Sequence, residues 1–420
     1  MHATWSYKVS FLALTDVLYF EIKTHDEVLI NKFIEDLLII FSKIDIDNEK
    51  ITVPGLQVNS QIIRSKMEIF AEHYSQLHLS VNKIPAYFRK LKENEQFIFL
   101  PNIEIDTTQH LRLFNYLRAS NEGKDFLAVQ NLSDELFSEV FEKYSLAVYG
   151  DKRKLIGNPK KSERVCRFCK NTRVPLTFNS EAHAISEALG NKTVILYDEC
   201  DGCNADFSKN VEQDIIRYLS LYRTFFGVKG KGGVKQFSGK NFEVTKEDSV
   251  IFTVVNNDLK GESLHGQKAT LETDAPITRQ NIYKTLCKYF LSVIDAKYIS
   301  HFDKTVEWIN GKHSLTKLPK IAQMITYHSF SLQPKLVTYI RTIDDKSIPF
   351  AVGEFYFTCM LFVFIVPLSD QDTSEFTGAD YENFWKSFPH FKKAQGWTFD
   401  DYSSNHKGTF TIHVNFKKVE

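Results

Sequence analysis

The chain has 420 residues, too many for one ordinary domain, and a length that suggests two or three. At 43% hydrophobic and 25% charged it sits at the globular average, which excludes wholesale disorder and fibrous architectures. Its 52 Lys and Arg are matched by 52 Asp and Glu, so a nucleic-acid ligand would have to be held by local basic patches.

In chain order, residues 7–14 and 17–23 alternate polar with apolar around Thr15-Asp16, which predicts a hairpin. No apolar signal core follows the first residues. Thr24 and Glu27 predict a capping box before an amphipathic helix over 28–41. Ile63, Met67, Phe70, Tyr74 and Leu77 mark a second helix. Residues 1–150 therefore read as an N-terminal α+β domain, a scaffold or sensor without a catalytic signature.

From Asp151 the composition turns basic. Lys152, Arg153, Lys154, Lys160, Lys161, Arg164, Arg167, Lys170 and Arg173 stand against Asp151 and Glu163, with Gly157, Asn158 and Pro159 as linker punctuation. Such a run is ordinarily a solvated linker, but this one leads into a cysteine motif, which points to phosphate contacts. Downstream, the loop GVKGKGG (227–233) resembles a phosphate cradle without the Walker spacing, so it reads as a flexible linker that closes a middle domain, 151–235.

Residues 236–420 resume an α+β pattern and read as a regulatory or recognition domain. Ile282, Leu286, Phe290 and Val293 mark a helix continuing toward Trp308, and strands are expected over 336–343, 355–366 and 409–416. The apolar run 355–367 is about half the roughly 20 residues needed to span a bilayer, so a buried strand and a soluble, cytoplasmic protein without membrane association are expected. The scattered histidines, His265, His301, His313, His328, His390, His406 and His413, lack ligand spacing.

The informative stretch is 165–226. Cys166-Arg-Phe-Cys169 and Cys200-Asp-Gly-Cys203 are two C-x-x-C knuckles separated by thirty residues. Zinc takes four thiolates in a tetrahedron, and each knuckle supplies two from one tight turn. A thioredoxin-like redox reading would leave the second pair unexplained. Cys287 and Cys359 read as buried small hydrophobes. Phe207, Val211, Ile215, Leu219, Tyr222 and Phe226 predict a helix ending at Gly227.

Between the knuckles lies Glu181-Ala-His183-Ala-Ile-Ser-Glu-Ala-Leu-Gly-Asn191, and Asn204 follows Cys203 directly. In this order of cysteines, histidine, Leu-Gly-Asn and Cys-Asn, residues 165–226 resemble the HNH endonucleases, the treble-clef ββα-metal nucleases. The resemblance implies a central zinc-bound treble clef flanked by two α+β domains. It also implies hydrolysis of phosphodiester bonds in nucleic acid, with double-stranded DNA as the expected substrate and a 5′-phosphate and 3′-hydroxyl as products. A bacterial restriction or phage-defence setting would follow.

By that resemblance His183 is the general base, an imidazole able to take a proton from water near neutral pH. Asn191 holds the loop and orients it, and Asn204 ligates a catalytic divalent cation such as Mg²⁺ at a helix N-terminus that also favours phosphate. Many members carry an acidic ligand directly before the base. Here that position is Ala182, and Glu181, one residue earlier, is the candidate cation ligand. Arg153, Lys154, Lys160, Lys161, Arg167, Lys209 and Arg217 are expected to meet the nucleic-acid backbone, with Arg223 on the same helix as Lys209 and Arg217. The bland alternatives are a structural histidine, a turn asparagine, a surface Glu181 and a solvated helix face. The missing acid also admits a non-catalytic zinc protein that clamps nucleic acid. No heptad or interface stripe identifies an oligomer or an activating partner.

Overall fold

The computed structural model describes residues 4–45, 50–150, 152–254, 268–326 and 330–415. Asp151, His265, His328 and Phe416 of the last expected strand lie outside them. The chain is a mixed α+β fold of two compact units, Met1–Ser138 and Glu139–Glu420.

In the first unit the expected hairpin is strands Trp5–Leu12 and Val17–Thr24, paired in register from Trp5↔Thr24 to Leu12↔Val17. Gln96–Pro101 and then Leu56–Val58 extend it to a four-stranded antiparallel sheet. Alternation turns Val9, Phe11, Phe20, Ile22, Phe97 and Phe99 inward, where the helices Glu27–Phe41 and Gln61–His73 cover them with Phe33, Leu37, Met67 and Phe70. Each such side chain removed from water contributes about 1.5–3 kcal/mol before entropy is subtracted. The first helix is capped by Asp26, whose carboxylate accepts from Leu29 N at 3.0 Å; Thr24, the expected cap, instead accepts from Asp26 N at 3.1 Å.

The second unit is built on a six-stranded antiparallel sheet. Its order is Thr398–Asp400, Ile321–Ile325, Met360–Ile365, Ala351–Thr358, Ser331–Arg341, Tyr144–Tyr149. The apolar run expected as one strand is a hairpin, with Phe357 opposite Met360 and Thr358 turning the chain at φ 52°. Both strands are almost wholly buried because both faces of the sheet are covered, Glu354 being held by the hydroxyls of Tyr339 and Tyr356. Phe355, Phe357, Phe362 and Phe364 face the Arg279–Val293 helix; Val352, Leu361, Val363 and Ile365 face Ala379–Lys386 and Pro389–Lys393. Gly353 lies opposite Phe364, where an added Cβ would come within 2.3 Å of the ring.

Every residue from Ile282 to Val293 is buried. The periodicity that marks one apolar face of this helix understates its environment, since it is covered all round. The cysteine-bearing segment contributes to the same core: Phe168, Ile185, Val194, Leu196 and Phe207 belong to one apolar cluster with Ile282, Leu286, Phe290 and Phe355. The two compact units of the structure meet in sequence at 138/139. Lys154–Ile156, Val194–Leu196 and Ala182–His183 form a small sheet in which the last two are antiparallel, with His183 opposite Ile195. The helix expected to run unbroken toward Gly227 is three segments, Asp201–Asn210, Glu212–Tyr218 and Ser220–Phe225, parted at Val211 and Leu219. Cys287 and Cys359 are buried, as expected of small hydrophobes.

Candidate functional site

The first knuckle is closed by backbone bonds from Lys170 N to Cys166 O and Thr172 N to Cys169 O, both 2.9 Å. Lys170 and Asn171 adopt left-handed φ of 49° and 63°, and the Asn171 side chain secures the turn by accepting from Cys166 N at 2.8 Å. The second knuckle opens the Asp201–Asn210 helix, with Cys200 at its N-cap position. Burial would raise the Asp201 carboxyl, but hydrogen bonds from Thr177 Oγ1, Asn179 N and Ser180 N outweigh it and hold the group at about 2. Those bonds fasten the strand-bearing loop to the helix start.

The four sulfurs lie within 4.8 Å of one another, Cys169 and Cys200 at 3.6 Å, and all six cysteines are free thiols. A tetrahedral ion with bonds of ~2.3 Å requires sulfur separations of about 3.8 Å, so the set could hold a metal ion such as zinc. Crowded thiols oppose one another's ionisation. A hydrogen bond from Cys203 pulls the Cys166 thiol down to about 5, that same bond and burial push Cys203 up, and burial raises Cys200 to about 11. A divalent cation removes this conflict by stabilising all four thiolates.

Between the first two cysteines, Arg167 is buried, and its Nη1 donates to Leu291 O at 3.1 Å and Ile294 O at 2.7 Å. It satisfies carbonyls at the C-terminus of the Arg279–Val293 helix, so the expected phosphate contact is corrected to a docking bond. The other expected contacts, Arg153, Lys154, Lys160, Lys161, Lys209 and Arg217, are exposed. Several have partners within the chain: Lys160 with Glu163, Lys161 with Asn179, Lys154 over the Tyr149 ring, Arg217 with Asp214.

His183 stands on the strand between the knuckles with 19% of its side chain exposed. Its Nε2 is 3.7 Å from Glu187 Oε2, and its Nδ1 is buried without a hydrogen-bond partner. Asn191 is wholly buried. Its Nδ2 donates to Ile185 O at 2.7 Å and Val194 O at 3.0 Å, and its Oδ1 accepts from Thr193 N and Val194 N. It therefore ties off the loop that begins at His183 and returns along Val194–Leu196, and its Oδ1 also accepts from Thr193 Oγ1 at 3.3 Å. Asn204, on the first turn of its helix, is half-buried, and Glu181 is exposed.

Four residues near the histidine escape sequence reasoning. Glu187 reaches the ring from a short 3₁₀ turn, Glu187–Leu189. Beneath, Lys288 Nζ lies 3.3 Å from His183 O, 3.2 Å from Glu199 Oε2 and 3.1 Å from Glu212 Oε1, with all three side chains buried. Neither Glu199 oxygen meets hydrogen-bond geometry, so that contact is ionic. Burial opposes the Lys288 charge, but the two carboxylates outweigh it and raise its pKa; burial pushes Glu199 up to about 7 despite Lys288. The only sequence signal would be an apolar helix carrying a lysine, which does not name its partners.

Among the described residues no second group of three or more His, Cys, Asp or Glu donors converges, and no helix is long and apolar enough to cross a membrane. No family model, curated protein or solved structure matches the chain.

Proposed function

We propose that this chain is a metal-dependent endonuclease of the HNH type, acting on phosphodiester bonds of double-stranded DNA, with the four cysteines as a structural zinc site. The order knuckle, hairpin, knuckle, helix is the order of a ββα-metal treble clef, and it supports the reading. The observation that carries it is His183. A thiolate-bound ion needs no histidine, yet this ring lies on the hairpin between the knuckles, partly exposed and 3.7 Å from Glu187, with its Nδ1 buried and unpartnered.

His183 takes a proton from the attacking water, and Glu187, 3.7 Å away, stabilises the resulting imidazolium. Asn191 and Lys288 hold the two ends of the histidine's loop by its backbone. Asn204 would offer its amide oxygen to a divalent cation, with Glu187 or Glu181 as the acidic donor, since Ala182 has no ligand atom. Bound there, such a cation supplies charge stabilisation at the scissile phosphate. So sparse a side-chain set suits Mg²⁺, which retains waters and binds substrate oxygens.

The missing acid at Ala182 also favours one rival, a zinc-stabilised clamp that binds nucleic acid without cutting it. The two readings part on incubation of wild type and His183→Ala with plasmid, linear and single-stranded DNA, in Mg²⁺, Mn²⁺, Ni²⁺ or chelator. The nuclease nicks only with added metal and loses this in the variant while its fold is unchanged. Binding without cutting under every metal identifies the clamp, and cutting that survives His183→Ala removes the base assignment.

A further inference from the structure

Residues 215–242 carry Arg217, Arg223, Lys229, Lys231, Lys235 and Lys240 and no acid. Within this stretch the glycine loop 227–233 is no free linker. Val228 is buried in the main core, and Gly230 and Gly233 exchange backbone hydrogen bonds of 3.3 and 3.1 Å, which puts Lys231 at the tip of a tight turn. Lys229, Lys231 and Lys235 are exposed, and among the described residues their ammonium groups have no acidic or hydrogen-bonding partner.

Beneath the loop, Arg223 is only 5% exposed, its buried Nε has no hydrogen-bond partner, and no carboxylate pairs with it among the described residues. Burial pushes its pKa down. An uncompensated buried cation is unfavourable, and guanidinium is the side chain best matched to phosphate oxygens. Its position is fixed by Gly230: a Cβ there would lie 2.9 Å from Arg223 Nη2 and 3.2 Å from both Glu187 O and Ala188 Cα. The loop therefore lies directly on the guanidinium and on the turn whose Glu187 faces His183.

We propose that Arg223 and the 227–233 loop, with Lys229, Lys231 and Lys235, form the seat for the sugar–phosphate backbone of the nucleic acid presented to His183. This rests on the nuclease reading for what happens at His183, but the binding claim is separable from it. The lysines supply the long-range attraction of exposed, unpaired charge. Arg223 supplies a fixed fork at the point where the backbone nears the histidine.

The test is fluorescence anisotropy of a labelled DNA duplex across a salt series, without added divalent cation, using zinc-loaded wild type, Lys229→Ala/Lys231→Ala/Lys235→Ala and Arg223→Gln. The triple variant should bind more weakly, and its slope of log K against log salt should be shallower by about three, one per lysine. Arg223→Gln should also bind more weakly, at a melting temperature no lower than that of wild type. If Arg223→Gln melts early, the surface triple variant decides alone. A triple variant with wild-type affinity and slope overturns the proposal, as does a wild type that binds no duplex. Cleavage by wild type alongside an unaltered triple variant sinks this proposal alone. Binding through the loop without cleavage under any metal sinks the nuclease reading alone.

Discussion

Replacing Lys288 with methionine keeps the length of the side chain and removes the one cation of a buried cluster. The ammonium lies 3.2 and 3.1 Å from two carboxylates and 3.3 Å from the His183 carbonyl. At an effective dielectric of about 20 each ion pair has a gross attraction of about 5 kcal/mol, most of which is offset by desolvation. Removing one partner is different, because it strands two acids that folding has already taken out of water. That costs about 3–5 kcal/mol, which at about 2–4 °C per kcal/mol lowers the melting temperature of the second unit by roughly 6–20 °C. Thermal and urea melts followed by circular dichroism and by tryptophan fluorescence, to which the buried Trp308 contributes, report the change. Adding Glu199→Gln and Glu212→Gln to the variant should recover most of the loss, since neutral amides are far easier to bury. A Lys288→Met protein within about 1 kcal/mol of wild type, or no recovery in the triple variant, would refute the reasoning.

Further outcomes follow from other groups. Cys200→Ser should release zinc and lower the melting temperature, and in wild type Co²⁺ substitution should give the absorption of a tetrahedral thiolate site; an unaltered metal content in the variant would contradict the cysteine assignment. Glu187→Gln should slow metal-dependent cleavage by roughly 10-fold or more with the fold intact, the scale of a group assisting acid–base chemistry; an unchanged rate would remove it from the site. Burial pushes the Asp372 carboxyl up to about 6, against bonds from Phe350 N and Arg341. A folded pKa above the unfolded value favours the protonated native state, so its contribution is full below about pH 4 and lost as pH rises through 6, on the order of 2–3 kcal/mol. Asp372→Asn should flatten that part of the stability profile, and an unaltered slope between pH 4 and 6 would count against it.

What the sequence reveals follows from the range of each signal. The hairpin from Trp5 to Thr24 is legible because alternation and a turn are local, and the knuckles because two thiolates per turn fix their own spacing. Distant partners leave no such trace. The alternation rule separates two-faced strands but cannot divide a run buried on both sides, so the turn at Thr358 is hidden. Helical periodicity finds one face of Arg279–Val293 and is silent on the cysteine segment that covers another. Lys288 lies 105 residues from His183, whose carbonyl it binds. Arg167 reads as one more cation in a basic run, yet the fold turns it inward to cap a helix beyond the reach of any local pattern. Composition places a linker at 227–233, where packing against Glu187 and Ala188 makes a fixed loop.

The nuclease reading depends most directly on the imidazole of His183 itself. Plasmid nicking by zinc-loaded His183→Gly protein, measured under single-turnover conditions in Mg²⁺ or Mn²⁺ with and without added imidazole, isolates that ring from every structural effect. The account predicts a variant that folds, retains its zinc and is inactive alone, with nicking restored in proportion to free imidazole. A His183→Gly protein that nicks at the wild-type rate without imidazole, or a wild type that nicks under neither metal, would contradict it.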